Sequence, residues 1–284
     1  MENINKKTKA VVLGGGGVTG IAWEIGIITA LLQEGIDLSD ADVIIGTSAG
    51  SFVGTALASG YDMKKLYDSQ FIPNKSEVNV SVSSEVMKLW AEAFIYGKDD
   101  KKNIGKMFGD IAKKYPSKIS KEERQSIVES RLTTTIWPSK LKVTAVDAKT
   151  GDLHVFDKDS GTSLVNAVNA SGAVPGLWPF VTFNDRDWID GGMISSTNAF
   201  LADSYDKVVI LSPMPQKYGL VPSVKEDAEE MQKTAAVSLI IPDNDSILAI
   251  GKNPYDPSRT PFSAQAGFNQ GIKEAISIHK TWCL

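Results

Sequence analysis

The chain has 284 residues, 42% of them hydrophobic and 23% charged, a globular balance that excludes disordered and collagen-like classes. Thirty lysines and arginines against 34 acidic residues leave a net charge of −4, which argues against an electrostatic nucleic-acid binder. One cysteine, Cys283, rules out a disulfide scaffold, and with only two histidines, His154 and His279, a Cys- or His-rich metal site is ruled out too.

At the amino end, Met1–Lys7 is followed by the apolar run Ala10–Leu13, which stops at glycines and lacks the stretch and cleavage site of a signal peptide. No segment offers the ~20 largely apolar residues of a spanning helix. The expectation is a soluble, cytoplasmic protein, with contact at a membrane surface left open.

Ala10–Leu13 reads as a buried strand, Gly14–Gly17 as a loop and Val18–Leu32 as a buried helix stopped by Gly35. Val43–Ile45 reads as a second strand and Ser51–Ser59 as a second helix with Gly60 beyond its end. Two strand–loop–helix units in succession predict a parallel α/β sheet. The stretch from about Asp62 to Pro138 is richer in charge and reads as a mainly helical insertion. Strand signals return at Leu141–Val146, Leu153–Phe156, Phe180–Phe183 and Trp188–Ile189, with a helix at Leu164–Ala170. Lys207–Leu211 and Val237–Ile241 are further strands around a charged helix near Lys225–Thr234, and Ser263–His279 reads as a terminal helix. The expected organisation is one α/β domain over 1–284 with a helical insertion at 62–138.

Two motifs carry chemistry. Gly14-Gly15-Gly16-Gly17-Val18-Thr19-Gly20 lies between a strand and a helix, where unpaired backbone N–H groups and the helix dipole can hold an anion. Its Gly15-x-Gly17-x-x-Gly20 spacing also fits a dinucleotide loop, and a nicotinamide-dependent reductase is the reading that follows. That reading needs an acid at the end of the second strand. Asp37, Asp40 and Asp42 all precede the strand, which ends in Gly46-Thr47-Ser48 instead. A tight turn with no ligand is the plain alternative. The second motif, Gly46-Thr47-Ser48-Ala49-Gly50, has a nucleophile elbow's spacing and setting, with a helix-capping serine as the plain alternative. If the first two strands are parallel neighbours, both loops emerge at one carboxyl edge, and the N–H groups of Gly16 and Gly17 face the carbonyl that Ser48 attacks.

A serine hydroxyl needs a base. His154 lies inside a strand and His279 on the terminal helix; the latter keeps a minor claim as a late triad histidine. Asp190, at a strand end before Gly191-Gly192, is the better candidate, because a closed pocket would raise the basicity of its carboxylate. An ordinary Asp-Gly turn is the competing reading.

Taken together, these residues resemble the patatin-like phospholipases, lipid acyl hydrolases with a Ser–Asp dyad. Gly15–Gly20 resembles that family's oxyanion loop, Gly46–Gly50 its nucleophile elbow and Asp190-Gly191-Gly192 its dyad motif. Ala170-Ser171-Gly172-Ala173-Val174-Pro175-Gly176 is similar to the segment upstream of the family's aspartate. The resemblance spans roughly residues 9–212, leaving the remainder unplaced. It implies a mostly parallel central sheet flanked by helices in three layers. Ser48 and Asp190 would be catalytic, Gly15, Gly16 and Gly17 would form the oxyanion and substrate cradle, and Gly46, Gly50, Gly191 and Gly192 would support the motifs. It implies a lipid or acyl-ester substrate, phospholipid or lysophospholipid, and neither cofactor nor metal. One departure stands out. The family's loop usually carries Arg or Lys where this chain has Thr19, which encourages a second reading: a weak or silent lipid-binding regulator that uses the same pocket. Finally, Val86, Leu89, Trp90, Ala93 and Phe94 recur at helical spacing within Ser84–Tyr96, before Lys98, Lys101 and Lys102. They suit either a core-facing helix with a solvated loop or a lid, acyl wall or membrane-facing surface.

Overall fold

A computed structural model describes residues 7–74 and 76–284, so Met1–Lys6 of the amino-terminal reading lie outside the described residues. The chain opens with β1 (Lys9–Leu13), α1 (Gly17–Gln33), β2 (Val43–Thr47) and α2 (Ala49–Ala58). Four helices follow: α3 (Met63–Ser69), α4 (Ser84–Gly97), α5 (Lys101–Lys114) and α6 (Lys121–Arg131). Each is started by a side-chain cap, in turn Asp62, Ser83, Asp100 and Ser120, accepting the N–H three residues on. Next come β3 (Leu141–Asp147), β4 (Leu153–Phe156), α7 (Leu164–Ser171), β5 (Val181–Phe183) and β6 (Arg186–Asp190). The last part holds β7 (Lys207–Leu211), α8 (Val224–Met231), β8 (Ala236–Ile240), α9 (Asn244–Ile250) and α10 (Thr260–Trp282). The expected strands are present with ends shifted by a residue or two. The sequence reading lacks α9, whose Ile247 and Leu248 face solvent and so give no buried periodicity.

β3, β2, β1, β7 and β8 run parallel in that order, and β4, β6 and β5 add an antiparallel flank at β3. Strand alternation divides the core between two faces. Val11 and Leu13 of β1 point toward α1, α2 and α10. Ala10 and Val12 point toward α8 and the short helix Ala199–Ala202. The result is a mostly parallel sheet between helical layers.

The register around β3 positions the site. Val143 pairs with both Gly46 of β2 and Phe156 of β4, so β2 and β4 occupy opposite edges of β3. Ala145 pairs with both His154 of β4 and Asp190 of β6, which puts β6 opposite β4 and therefore on the edge used by β2. β2 runs parallel to β3 and ends with Thr47 beside Thr144; β6 runs the other way and ends with Asp190 beside Ala145. Two strands thus meet carboxyl end to carboxyl end on consecutive residues of β3.

Behind the sheet, α1 and α10 cross at backbone distance. A Cβ on Gly26 would overlap the Ala264 carbonyl, and one on Gly267 would overlap the Trp23 carbonyl. Neither obstacle is a side chain that can rotate away. Gly267→Ala should therefore force the helices apart and destabilise the fold by about 1–3 kcal/mol or more, read as a lowered denaturation midpoint. Gly35→Ala is the reference for this measurement. A Cβ there meets nothing, so its cost is only that of a positive-φ glycine in a loop.

Candidate active site

Ser48 is the single residue between β2 and α2, and it makes the turn with φ 52°, a conformation that non-glycine residues avoid. The surrounding bonds hold that strain. The Ser48 N–H donates to Ser171 Oγ at 2.8 Å, and its carbonyl accepts from Ser51 Oγ at 2.6 Å. Gly50 N–H donates to the Gly14 carbonyl at 2.9 Å, fastening the elbow to the glycine loop. A side chain on Gly50 would collide with the Leu13 carbonyl, which explains the last glycine of the motif by close approach.

The glycine loop is held from three sides. Gly14 N–H is shared between the Leu211 carbonyl at 3.0 Å and Glu24 Oε1 at 2.9 Å. Gly15 N–H donates to the Ser196 carbonyl at 2.8 Å, so it is already engaged. Among the described residues, the N–H groups of Gly16 and Gly17 have no acceptor. A Cβ on Gly15 would stand 3.5 Å from Ser48 Cβ, so loop and elbow are in direct contact. Glu24 itself is buried, with its other carboxyl oxygen unpartnered, and burial pushes its pKa well above the ordinary value.

Asp190 closes β6 with 1% exposure. Its N–H donates to the Ala173 carbonyl at 3.1 Å, and its Oδ1 accepts from Gly192 N–H at 2.7 Å. Removal from water raises its carboxyl from 3.8 to about 7; the Ser48 hydroxyl, the Gly192 amide and the Arg124 guanidinium act in the opposite direction. The Ser48 hydroxyl acts on the carboxyl by lowering its pKa, but among the described residues it makes no aligned hydrogen bond to Asp190. Beneath both residues, the buried Asn198 Nδ2 donates to Thr47 Oγ1, Thr144 Oγ1 and the Gly191 carbonyl at 3.2–3.3 Å. One amide therefore ties together the end of β2, the middle of β3 and the Asp-Gly-Gly turn.

With this geometry in place, comparison with known proteins is informative. Residues 11–203 match the profile of the family described as patatin-like phospholipase, a span that includes the glycine loop, Ser48 and Asp190. The chain belongs to the patatin-like phospholipase family. Lysophospholipase NTE1 of Yarrowia lipolytica is 30% identical over 195 residues, which is 66% of this chain and 11% of the yeast protein. Lysophospholipase NTE1 of Scheffersomyces stipitis is 29% identical over 202 residues, 68% of this chain and 11% of that protein. The chain thus spans about a ninth of the length of these relatives. VipD of Legionella pneumophila shares the fold with a TM-score of 0.50 at 14% identity, covering 96% of this chain and 67% of VipD.

The patatin-like frame accounts for Thr19. Its backbone N–H and its hydroxyl both donate to the Pro254 carbonyl, at 3.1 and 3.3 Å, and the side chain is fully buried. Through Thr19 the chain anchors its glycine loop to a distant segment. That segment belongs to the part after 212 that the sequence leaves unplaced. Pro213 packs on Gly16 and Gly20, while Pro254 and Tyr255 press against Gly17.

Arg124, on α6, is the main addition to the site. It is buried, lies 4.2 Å over the Trp178 ring and donates to the Gly172 carbonyl at 3.2 Å. Burial, and then the neighbouring Arg131, lower its pKa to about 9. Together with Ser48, Gly17, Phe52 and Tyr255 it lines a small cavity at the elbow. Nothing in the charged run Lys121–Arg124 distinguishes this arginine from a solvated one. Ser171, by contrast, lies in a segment singled out by resemblance, and its role as acceptor for the Ser48 amide is new.

Other candidates fall elsewhere. His154 packs between Phe156 and Trp188 on β4, His279 is exposed on α10, and neither lines the Ser48 cavity. Asp37 caps the short helix Leu38–Asp40, while Asp40 and Asp42 bind Lys9 at the amino end of β1. None of these three aspartates therefore stands at the carboxyl edge of β2. On α4, Val86, Ala93 and Phe94 pack against α5, which makes their apolar stripe a core-facing one. Lys102 pairs with Asp152 at 2.7 Å, and Lys101 lies over the Phe200 ring.

Burial of Asp190 has a thermodynamic signature independent of any reaction. Its carboxyl titrates near 7 when folded and near 4 when unfolded, so between those values the native state binds more protons. Stability should therefore fall as pH rises through this window and then level off. Asp190→Asn should lack this loss, so that the variant's thermal midpoint gains on the wild type from pH about 4 to about 7. Parallel melting curves for the two proteins would place Asp190 in water instead.

Proposed function

We propose that this chain hydrolyses the fatty-acyl ester of a phospholipid or lysophospholipid by a Ser48–Asp190 dyad. The observation that carries the proposal is the meeting of a strained, outward-turned serine with a buried carboxyl at the mouth of two unengaged amides. Asp190 accepts the Ser48 proton as Oγ bonds to the ester carbonyl carbon. The carbonyl oxygen takes the negative charge, and the N–H groups of Gly16 and Gly17 stabilise it. The tetrahedral intermediate collapses, the alcohol leaves with the proton held by Asp190, and an acyl-Ser48 ester remains. Water then attacks the acyl carbon, Asp190 takes its proton, and the fatty acid and free serine are regenerated. No step needs a metal or cofactor.

A carboxylate with a pKa of about 7 is matched to this task, being largely ionised just above neutrality yet basic enough to compete for a serine proton. Gly15 has a different part in this scheme from its neighbours. With its amide engaged, it provides the side-chain-free surface against which Ser48 sits. Gly46 and Gly50 admit the tight elbow, while Gly191 and Gly192 let the backbone turn back onto Asp190. The Thr19–Pro254 bonds weigh against the silent-regulator reading, because they keep the loop in shape without a basic residue. A lipid substrate is reached at a membrane or micelle surface; among the described residues, no helix is long and apolar enough to cross a membrane.

A fluorophosphonate should label the wild type at Ser48 and leave Ser48→Ala unlabelled and inactive on lysophosphatidylcholine. Asp190→Asn should lower kcat by about 10²–10⁴-fold. The wild-type kcat/KM should rise with pH through about 7 and flatten above it, since the ionised carboxylate is the base. Hydrolysis that persists in Ser48→Ala would overturn the assignment.

A further inference from the structure

The small cavity at the elbow is lined by hydrogen-bond donors that lack acceptors. Arg124 enters it from α6 with 1% exposure, fixed by the Trp178 ring and by the Gly172 carbonyl, which accepts from Nη2. Its Nε and Nη1 are buried and, among the described residues, have no partner. Tyr255 lines the same cavity, and its backbone is pinned on both sides. Its N–H donates to Asn253 Oδ1 at 3.2 Å, and the preceding Pro254 carbonyl accepts from Thr19. Asn253 is tied in turn to the Val80 carbonyl at 2.9 Å. The Tyr255 ring packs on Gly17, where a Cβ would stand 3.0 Å from Cδ1. Among the described residues the Tyr255 hydroxyl makes no hydrogen bond, and burial, reinforced by the Asp190 charge, raises its pKa above the ordinary tyrosine range, so it keeps its proton. Arg131, the other charged residue of the lining, is taken by Glu77, donating to its two carboxyl oxygens at 2.7 and 2.6 Å.

Buried donors without acceptors are costly, and each one in a native interior calls for a reason. The lining holds no carboxylate or carboxamide to take these three. The cavity's volume of about 20 Å³ admits one oxygen atom and is too small for a head group or a hydrocarbon chain. Gly17, whose amide is also unengaged, borders it beside Ser48. An oxygen that gains negative charge next to Ser48 is the partner such a site fits. We propose that Arg124 and Tyr255 are catalytic residues, the side-chain half of the oxyanion site, both donating to the ester's carbonyl oxygen alongside the glycine-loop amides. As Ser48 Oγ bonds to the carbonyl carbon, the π pair of the C=O bond moves onto that oxygen, and the guanidinium and the phenol hold it while keeping their own protons. The pair returns when the leaving oxygen departs, and the same donors act again when water attacks the acyl-serine. The inference rests on the dyad reading for the place of the ester; the affinity of the donor set for an anionic oxygen stands apart from it. It gives α6 and the segment 253–255 a chemical task that neither glycine motif announces.

Two measurements test it. Hydrolysis of nitrophenyl butyrate is followed in wild type, Tyr255→Phe and Arg124→Lys at about pH 8.5, above the titration of Asp190. Tyr255→Phe removes one hydroxyl and leaves the ring on Gly17, so it decides the matter alone should Arg124→Lys fail to fold. The expected result is a kcat lowered about tenfold or more in each variant with KM held within about twofold, the split of a contact made in the transition state. Separately, octylphosphonate, whose tetrahedral anion stands in for the intermediate, is titrated into the unreactive Ser48→Ala protein with and without Tyr255→Phe. Its affinity should fall about tenfold when the hydroxyl is removed. A kcat unchanged in Tyr255→Phe, a loss carried by KM alone, or phosphonate that binds equally with and without the hydroxyl would overturn the inference while leaving the dyad in place. Phosphonate bound and weakened by Tyr255→Phe, in a protein whose wild type hydrolyses no ester, would uphold the donor site and refute the dyad instead.

Discussion

The architecture depends on one strand serving as a ruler for two others. β3 accepts β2 and β6 on the same edge, running toward each other, and the pairings Thr47–Thr144 and Ala145–Asp190 stop them one residue apart. The spacing between the ends of β2 and β6 is therefore set by backbone hydrogen bonds to buried residues of β3. Loops alone would leave the same two ends free to drift, and small displacements in reacting geometry are costly. Asn198 reinforces the junction by hydrogen bonding to all three partners.

Burial is the second element of the arrangement. For the proposed dyad, a carboxyl in water would be too weak a base to serve Ser48, and one in a wholly apolar interior would hold its proton too tightly. Asp190 lies between these limits. The loss of water raises its pKa, and three neighbours bring it part of the way back: Ser48, the Gly192 amide and Arg124. Arg124 comes from the helical insertion and not from the sheet, so the insertion contributes to the electrostatics of the site as well as to its walls.

The parts legible in the sequence are those whose chemistry is local. Glycines at a strand end, a Gly-x-Ser-x-Gly between strand and helix, and the alternating strands announce themselves within a few residues, and family resemblance joins them across the chain. The parts that were not legible depend on contacts between distant segments. Pro254 as the acceptor for Thr19, and Arg124 as a buried cation, follow from packing that no window of sequence contains. The apolar stripe on α4 shows the reverse problem. Its spacing is equally good for a core, a lid or a lipid wall, and only its packing on α5 decides.

The position of β7 bears on where this protein can be cut. The family match ends at residue 203, yet β7 pairs with β1 along the whole of that strand and the Leu211 carbonyl holds the first glycine of the loop. A fragment trimmed to the matched portion would keep every motif and lose both β7 and β8, so that β1 becomes an edge strand. β1 would then present a naked row of amides and carbonyls, flanked by an uncovered apolar surface, the kind of edge that seeds aggregation. The folding unit is therefore longer than the recognisable one, because the strand that covers β1 lies outside the matched span.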